Sequence, residues 1–148
     1  SKRYHHQYIG MGARLDTIQA AILLAKLTHY REELKSRERI ANKYTDILGN
    51  DFITPSVHPN RSSVWAQYTI RVQNRDKTQS KLKNDGVPTT VHYPVPLHLQ
   101  ECFQYLSYKE GDFPISERAC KEVMSLPMNP FLTNEEVEYI ADQLLQNK

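Results

Sequence analysis

Three side chains capable of polar chemistry crowd the segment VHYPVPLHLQ, Val91 to Gln100: His92, Tyr93 and His98, with prolines at 94 and 96. An imidazole offers two ring nitrogens that donate or accept, and a phenol adds another donor, so the cluster suits recognition of hydroxyls or a carboxylate. Proline cannot donate to a sheet ladder, so a strand reading of VPTTVHY has to stop here, and strand ends are where polar groups are held toward ligands. An ordinary strand end, with the tyrosine in the core and the histidine in water, fits the pattern equally. Successive strand residues also point to opposite faces, so His92 and Tyr93 reach one ligand only if the strand twists or breaks at Pro94.

The second candidate lies in YIGMGARLDTIQAAILL, Tyr8 to Leu24, where Arg14 follows Gly10 and Gly12 and precedes a helix. A guanidinium can grip a carboxylate or phosphate with two parallel hydrogen bonds beside a helix N-terminus. A surface arginine near a helix start is the plainer reading. The six histidines, His5, His6, His29, His58, His92 and His98, show no metal-site spacing with acidic partners, so no metal is expected. Cys102 and Cys120 form no CxxC pair and read as reduced, partly buried thiols.

These residues need a scaffold. Asp16 with Gln19 opens a helix expected to run from about Thr17 to about Leu48, a rod of roughly 45 Å at about 1.5 Å per residue, closed by Gly49-Asn50. Its middle, HYREELKSRERIANKY, is charged with few apolar anchors, as in rods that bridge domains or pack on a second subunit. After TPSVHPNRSS, the run VWAQYTIRV alternates as a half-buried strand with Val64, Ala66, Tyr68, Ile70 and Val72 on one side. NRDKTQSKLKNDG reads as a surface helix capped by Asn74 and stopped by Gly86, and VPTTVHY as the next strand. Short helices are expected over Leu97 to Leu106 and in GDFPISERACKEV, with Pro114 in the first turn of the latter, and then a brief strand in MSLP. TNEEVEYIADQLLQ starts with a capping box, Thr133 and Glu136, and carries a stripe of Val137, Ile140, Ala141, Leu144 and Leu145. The expectation is an α+β fold: a long N-terminal helix plus about three strands with helices on one face. Residues 1–48 form a loop and connecting helix, and 49–148 a small α+β domain.

At 148 residues, 39% hydrophobic and 24% charged, the chain is long enough for one sizeable core. A net charge of +2 with interleaved signs argues against a nucleic-acid footprint, and the basic residues of the rod are interrupted by Glu32, Glu33 and Glu38. No apolar run approaches the ~18 residues that span a bilayer, and no secretory segment opens the chain. The start, without methionine, cap or turn, is expected to be a cut within a longer polypeptide.

Four stretches together, RYHHQYIGMGARLDTIQAAILLAKL, WAQYTIRVQNRD, GVPTTVHYPVPLH and GDFPISERACKEVMSLPMNPFLT, resemble the C-terminal part of the DegT-type sugar aminotransferases, in the family's order. These are fold-type I enzymes that use pyridoxal 5'-phosphate (PLP) to aminate nucleotide-linked keto sugars. Within the family, the resemblance points to members that act on a UDP-linked 3-keto hexuluronate for bacterial surface polysaccharide such as lipopolysaccharide O-antigen. It implies a cytoplasmic homodimer, glutamate as amino donor, no membrane or nucleic-acid partner, and a missing N-terminal large domain that carries the PLP lysine.

The resemblance therefore implies no catalytic residue in this chain, which alone would be inactive. It assigns Arg14, His92, Tyr93 and His98 to the substrate, with Arg14 suited to the hexuluronate carboxylate. Gly12 stands where the family commonly has asparagine, so any cofactor contact there would be through the backbone. A competing expectation is a stand-alone binding or regulatory module that uses the charged helix for dimer or nucleic-acid contact.

Overall fold

The computed structural model describes residues 3–148; Ser1 and Lys2, part of the start read as a cut, lie outside them. The single rod expected from Thr17 to about Leu48 is two helices, α1 (Thr17–Leu27) and α2 (Tyr30–Leu48). At the break the Thr28 hydroxyl donates back to the Ala25 carbonyl at 2.7 Å and the His29 N–H reaches Lys26 at 3.1 Å. A threonine hydroxyl competing for backbone carbonyls and a tightened three-residue turn end one helix, and α2 restarts with its Glu32 and Glu33 N–H groups on the His29 carbonyl. The start of α1 is as expected: Asp16 accepts from the Gln19 N–H at 2.8 Å.

Beyond the break, α2 buries Ile40, Ala41, Tyr44 and Leu48, one face at helical spacing. Against it lies α5 (Asn134–Gln146), which buries Val137, Ile140, Ala141 and Leu144. The Thr133 capping box is complete, with Glu136 N–H on the Thr133 hydroxyl at 3.2 Å and Thr133 N–H on the Glu136 carboxylate at 2.9 Å. Arg39 donates to the Leu132 carbonyl and Lys43 pairs with Glu138, so basic residues of α2 serve this helix pair.

The sheet is narrower than the three strands expected. Antiparallel β1 (Tyr68–Arg71) and β2 (Val123–Leu126) pair Tyr68 with Leu126, Thr69 with Ser125, Ile70 with Met124 and Arg71 with Val123. VPTTVHY adds only the bridge Thr90 to Ser125, and Ile53 bridges Arg71 at the other edge. Prolines at 88, 94 and 96 remove ladder donors on both sides of Thr90. The strand expected from Val64 also starts later, because Trp65 lies in the left-handed backbone region at φ 47° and turns its ring into the core while Val64 stays exposed.

Alternation along the two strands sorts their side chains. Tyr68, Ile70, Met124 and Leu126 join the core formed with α2 and α5, whereas Thr69, Ser125 and Arg71 take the opposite face. Helices α3 (Arg75–Asn84) and α4 (Pro114–Glu122) flank the pair; α3 ends at Gly86, whose φ of 78° glycine adopts without steric cost, and Pro114 stands in the first turn of α4. Asn74 occupies the position before α3 without a side-chain capping bond. The result is an α+β unit whose polar sheet face carries the chain toward His92.

Candidate functional site

On that polar face the Thr69 and Ser125 hydroxyls, directly opposite across the ladder, lie 2.8 Å apart. His92, two residues past the Thr90 bridge, brings its Nδ1 to 3.2 Å from the Ser125 hydroxyl. The chain is no longer a strand at His92; the His92–Tyr93 peptide is cis and the two rings stand edge to face at 5.6 Å. Tyr93 is 60% exposed, so of the two readings of this segment the one with tyrosine in the core fails.

Tyr93 forms the rim of a half-open cavity of about 530 Å3, within the range of small-molecule sites, whose other walls include Tyr4, His6, Leu97, Gln100 and Cys120. Tyr4 meets Tyr93 edge to face at 5.9 Å. Gln100 holds the N-terminal segment here: its amide nitrogen donates to the Tyr4 carbonyl at 3.0 Å and its oxygen accepts from the His6 N–H at 3.1 Å. Cys102 N–H adds a bond to the His6 carbonyl. Nothing in the sequence pattern marks Gln100, because its partners lie more than ninety residues away. Both cysteines are free, and burial pushes the Cys120 thiol up, partly offset by the Arg75 guanidinium.

His98 is placed differently from its neighbours in sequence. Its side chain is 8% exposed, its Nε2 lies 3.0 Å from Glu117, and its ring packs on Phe113 at 4.8 Å between centroids. Glu117 also accepts from the N–H groups of Gly111 at 2.9 Å and Phe113 at 3.2 Å. Burial alone would push the Glu117 carboxyl up; those N–H groups and His98 outweigh it and hold the carboxyl below the ordinary carboxylate range.

Arg14 lies on the exposed coil ahead of α1, and no hydrogen bond or ion pair joins it to His92, Tyr93 or His98 among the described residues. Gly12 sits in the same coil, and a Cβ built there meets nothing within 4 Å. The structure thus brings His92 and Tyr93 together, ties His98 to Glu117, and leaves Arg14 and Gly12 apart from all three.

No group of three or more histidine, cysteine or acidic residues able to hold a metal occurs among the described residues, and none of their helices is long and apolar enough to cross a membrane. The cavity beside Tyr93 is lined by neither lysine nor carboxylate, so these walls do not by themselves fit a cofactor that needs a Schiff-base amine and an acidic partner for its ring nitrogen.

The described residues thus form an α+β unit with hydrogen-bonding side chains gathered where the segment after Thr90 leaves the sheet. The chain belongs to the DegT/DnrJ/EryC1/StrS aminotransferase family, whose profile matches residues 1–145. It is 43% identical over 144 residues to the UDP-2-acetamido-2-deoxy-3-oxo-D-glucuronate aminotransferase of Pseudomonas aeruginosa, covering 97% of this chain and 39% of that protein. It is 42% identical over 148 residues to the pleiotropic regulatory protein of Geobacillus stearothermophilus, covering 97% of this chain and 40% of that one. Among solved structures, a DegT DnrJ EryC1 StrS aminotransferase from Brucella abortus superposes with a TM-score of 0.84 at 36% identity over 98% of this chain and 39% of the other. The chain thus spans about two fifths of the length of the relatives it matches, and the family's enzymes are PLP-dependent.

Proposed function

We propose that this chain works as the C-terminal lobe of a PLP-dependent nucleotide-sugar aminotransferase, supplying groups that hold the sugar while a larger N-terminal domain holds the cofactor. The observation that carries the reading is the exposed Tyr93 on the wall of the cavity it shares with Tyr4 and His6, with the His92 ring against it at 5.6 Å. Tyr93, exposed, donates its hydroxyl to a sugar oxygen, and half-buried His92 contributes the ring nitrogen not engaged by Ser125. Arg14, at the end of its exposed coil, grips the carboxylate of a hexuluronate; with a UDP-linked 3-keto sugar as the substrate, this is the acid group available to it. Gly12 contributes backbone alone. His98 is reassigned from the sugar to the brace it makes with Glu117.

The larger domain has a place to sit. On α1, Ile18, Ile22, Leu23, Leu24 and Leu27 are all at least half exposed and spread around the helix, apolar surface that a folded partner would cover. The same reading takes the working form to be a cytoplasmic homodimer in bacterial surface-polysaccharide synthesis, with glutamate as donor and the isolated lobe inactive.

The test is the pair of half-reactions in the full-length dimer. Arg14→Ala is expected to slow the sugar half-reaction about 10-fold or more, since a hydrogen bond to a charged group is worth about 1.5–3 kcal/mol, and Tyr93→Phe by a smaller factor, a neutral one being worth about 0.5–1.5 kcal/mol, both while sparing the glutamate half-reaction. Equal damage to both, or to neither, sinks the assignment. The second reading, a regulatory module, draws on the name of the Geobacillus relative. Against it, Arg37 donates to the Trp65 carbonyl and Arg39 and Lys43 are engaged with the α5 region, so three of the five basic residues of α2 already have partners within the molecule. Tight, steeply salt-dependent DNA binding by this chain would revive it.

A further inference from the structure

We propose that Ser125 and Thr69 act as positioning residues for His92, holding the neutral imidazole as the tautomer with its proton on Nε2. A short chain of hydroxyls leads to the ring, and each carries one proton to place. Thr69 Oγ1 lies 2.8 Å from the Ser125 hydroxyl, its one hydrogen-bond partner among the described residues; either hydroxyl can donate across this gap, and in the proposed arrangement Thr69 donates to Ser125. Ser125, 5% exposed, then has one proton of its own left to place, and the acceptor in reach is His92 Nδ1 at 3.2 Å. A ring nitrogen that accepts carries no proton in the neutral state, so the proton stays on Nε2, on the opposite side of the ring.

The backbone makes the arrangement rigid. Thr69 and Ser125 are register partners in the ladder, and Ser125 also exchanges both backbone hydrogen bonds with Thr90, at 2.7 and 3.1 Å, two residues before His92. Two of the side chains therefore hang from paired strands and the third from the segment bridged to them. A polar network whose members are satisfied by one another rigidifies and fixes a single geometry. The consequence for recognition rests on the reading of His92 as a substrate-side group: Nε2 is then a donor, suited to an acceptor oxygen such as a carboxylate, a ketone or a phosphoryl oxygen.

The experiment is nitrogen-15 NMR of histidine-labelled protein at a pH well above the imidazole titration range, with the His92 signals assigned by their loss in His92→Gln. The expected result is one tautomer, Nδ1 at the shift of an unprotonated ring nitrogen and Nε2 at that of a protonated one. Ser125→Ala is expected to replace it with a mixture of tautomers, Ser125→Thr to restore the single form, and Thr69→Val, which keeps the shape and deletes the first proton, to yield a mixture as well. A proton found on Nδ1 in the unaltered protein overturns the proposal, and so does an unchanged His92 spectrum in Thr69→Val, which decides the matter if Ser125→Ala fails to fold. Titration with a UDP-linked uronic acid separates the two readings: no response at His92 Nε2 would count against the sugar contact and leave the tautomer assignment standing.

Discussion

His98 and Glu117 close a loop on themselves. The imidazole Nε2 meets one carboxylate oxygen at 3.0 Å, and the same carboxylate gathers the backbone N–H groups of Gly111 and Phe113, so a single acidic side chain at the start of α4 organises the turn from Lys109 to Phe113. Glu117 is also a first-turn acid, where the helix dipole favours negative charge.

The pH dependence of stability follows from that carboxyl. Its folded pKa lies below the unfolded one, so it stabilises the fold fully above the unfolded value and progressively loses that contribution as pH falls through the folded value, below the ordinary carboxylate range. Glu117→Gln is expected to lower the urea midpoint at neutral pH and to flatten its decline on the acid side. Urea unfolding followed at several pH values reads both effects; identical acid limbs for the two proteins would refute the assignment.

The α5 cap makes a second measurable contribution. Thr133→Ala removes the acceptor for the Glu136 N–H and is expected to cost about 1 kcal/mol. Leu144→Ala, at a fully buried position in the same helix, is expected to cost about 2–5 kcal/mol through the cavity it leaves. Equilibrium denaturation orders the two, and a Thr133 effect as large as that of Leu144 would mean the cap holds more than its helix.

Gly12 offers a substitution with opposite expectations for stability and function. Since a Cβ there meets nothing and the backbone is not in the left-handed region, Gly12→Asn is expected to change stability by no more than about 0.5 kcal/mol. In the full-length dimer the proposed function expects the added amide to tighten cofactor or sugar binding, read as a lower dissociation constant. A destabilised Gly12→Asn chain would show that the coil packs more closely than its open surroundings indicate.

The exposed apolar surface of α1 is the fourth test. Replacing Ile18 and Ile22 with glutamate removes exposed hydrophobic surface without touching the core, so thermal stability of this chain is expected to hold while its tendency to associate falls. The same pair of changes in the full-length polypeptide is expected to prevent docking of the lobe, read by limited proteolysis between the two domains. Unimpaired docking would place the covered face elsewhere.

Much of this architecture was legible in the order of residues. Asp16 with Gln19, Thr133 with Glu136 and Pro114 each mark a helix start by local hydrogen-bonding rules, and the α5 stripe follows the helical period, because capping and amphipathicity involve residues three or four apart. The four stretches resembling the aminotransferases carried the family, and the family profile covers residues 1–145. The break at Thr28 was not legible, since a threonine inside a charged run can equally point to water, and neither was the inward turn of Trp65, which depends on one left-handed backbone angle.

What the sequence by itself determined, then, was where the capped helices start, that strands run through Tyr68 and Met124, and that His92 and Tyr93 adjoin prolines that stop a ladder; the break in the rod and the reduction of VPTTVHY to a single bridge came from the tertiary structure. Only the tertiary structure decided what each histidine does. His92 meets Ser125 because an antiparallel register sets Thr69, Ser125 and Thr90 side by side, and His98 meets Glu117 nineteen residues on because the intervening turn folds back over Phe113. Hydrogen-bond partners of this kind are chosen by packing across distant segments, and a local pattern of residue types carries no record of them.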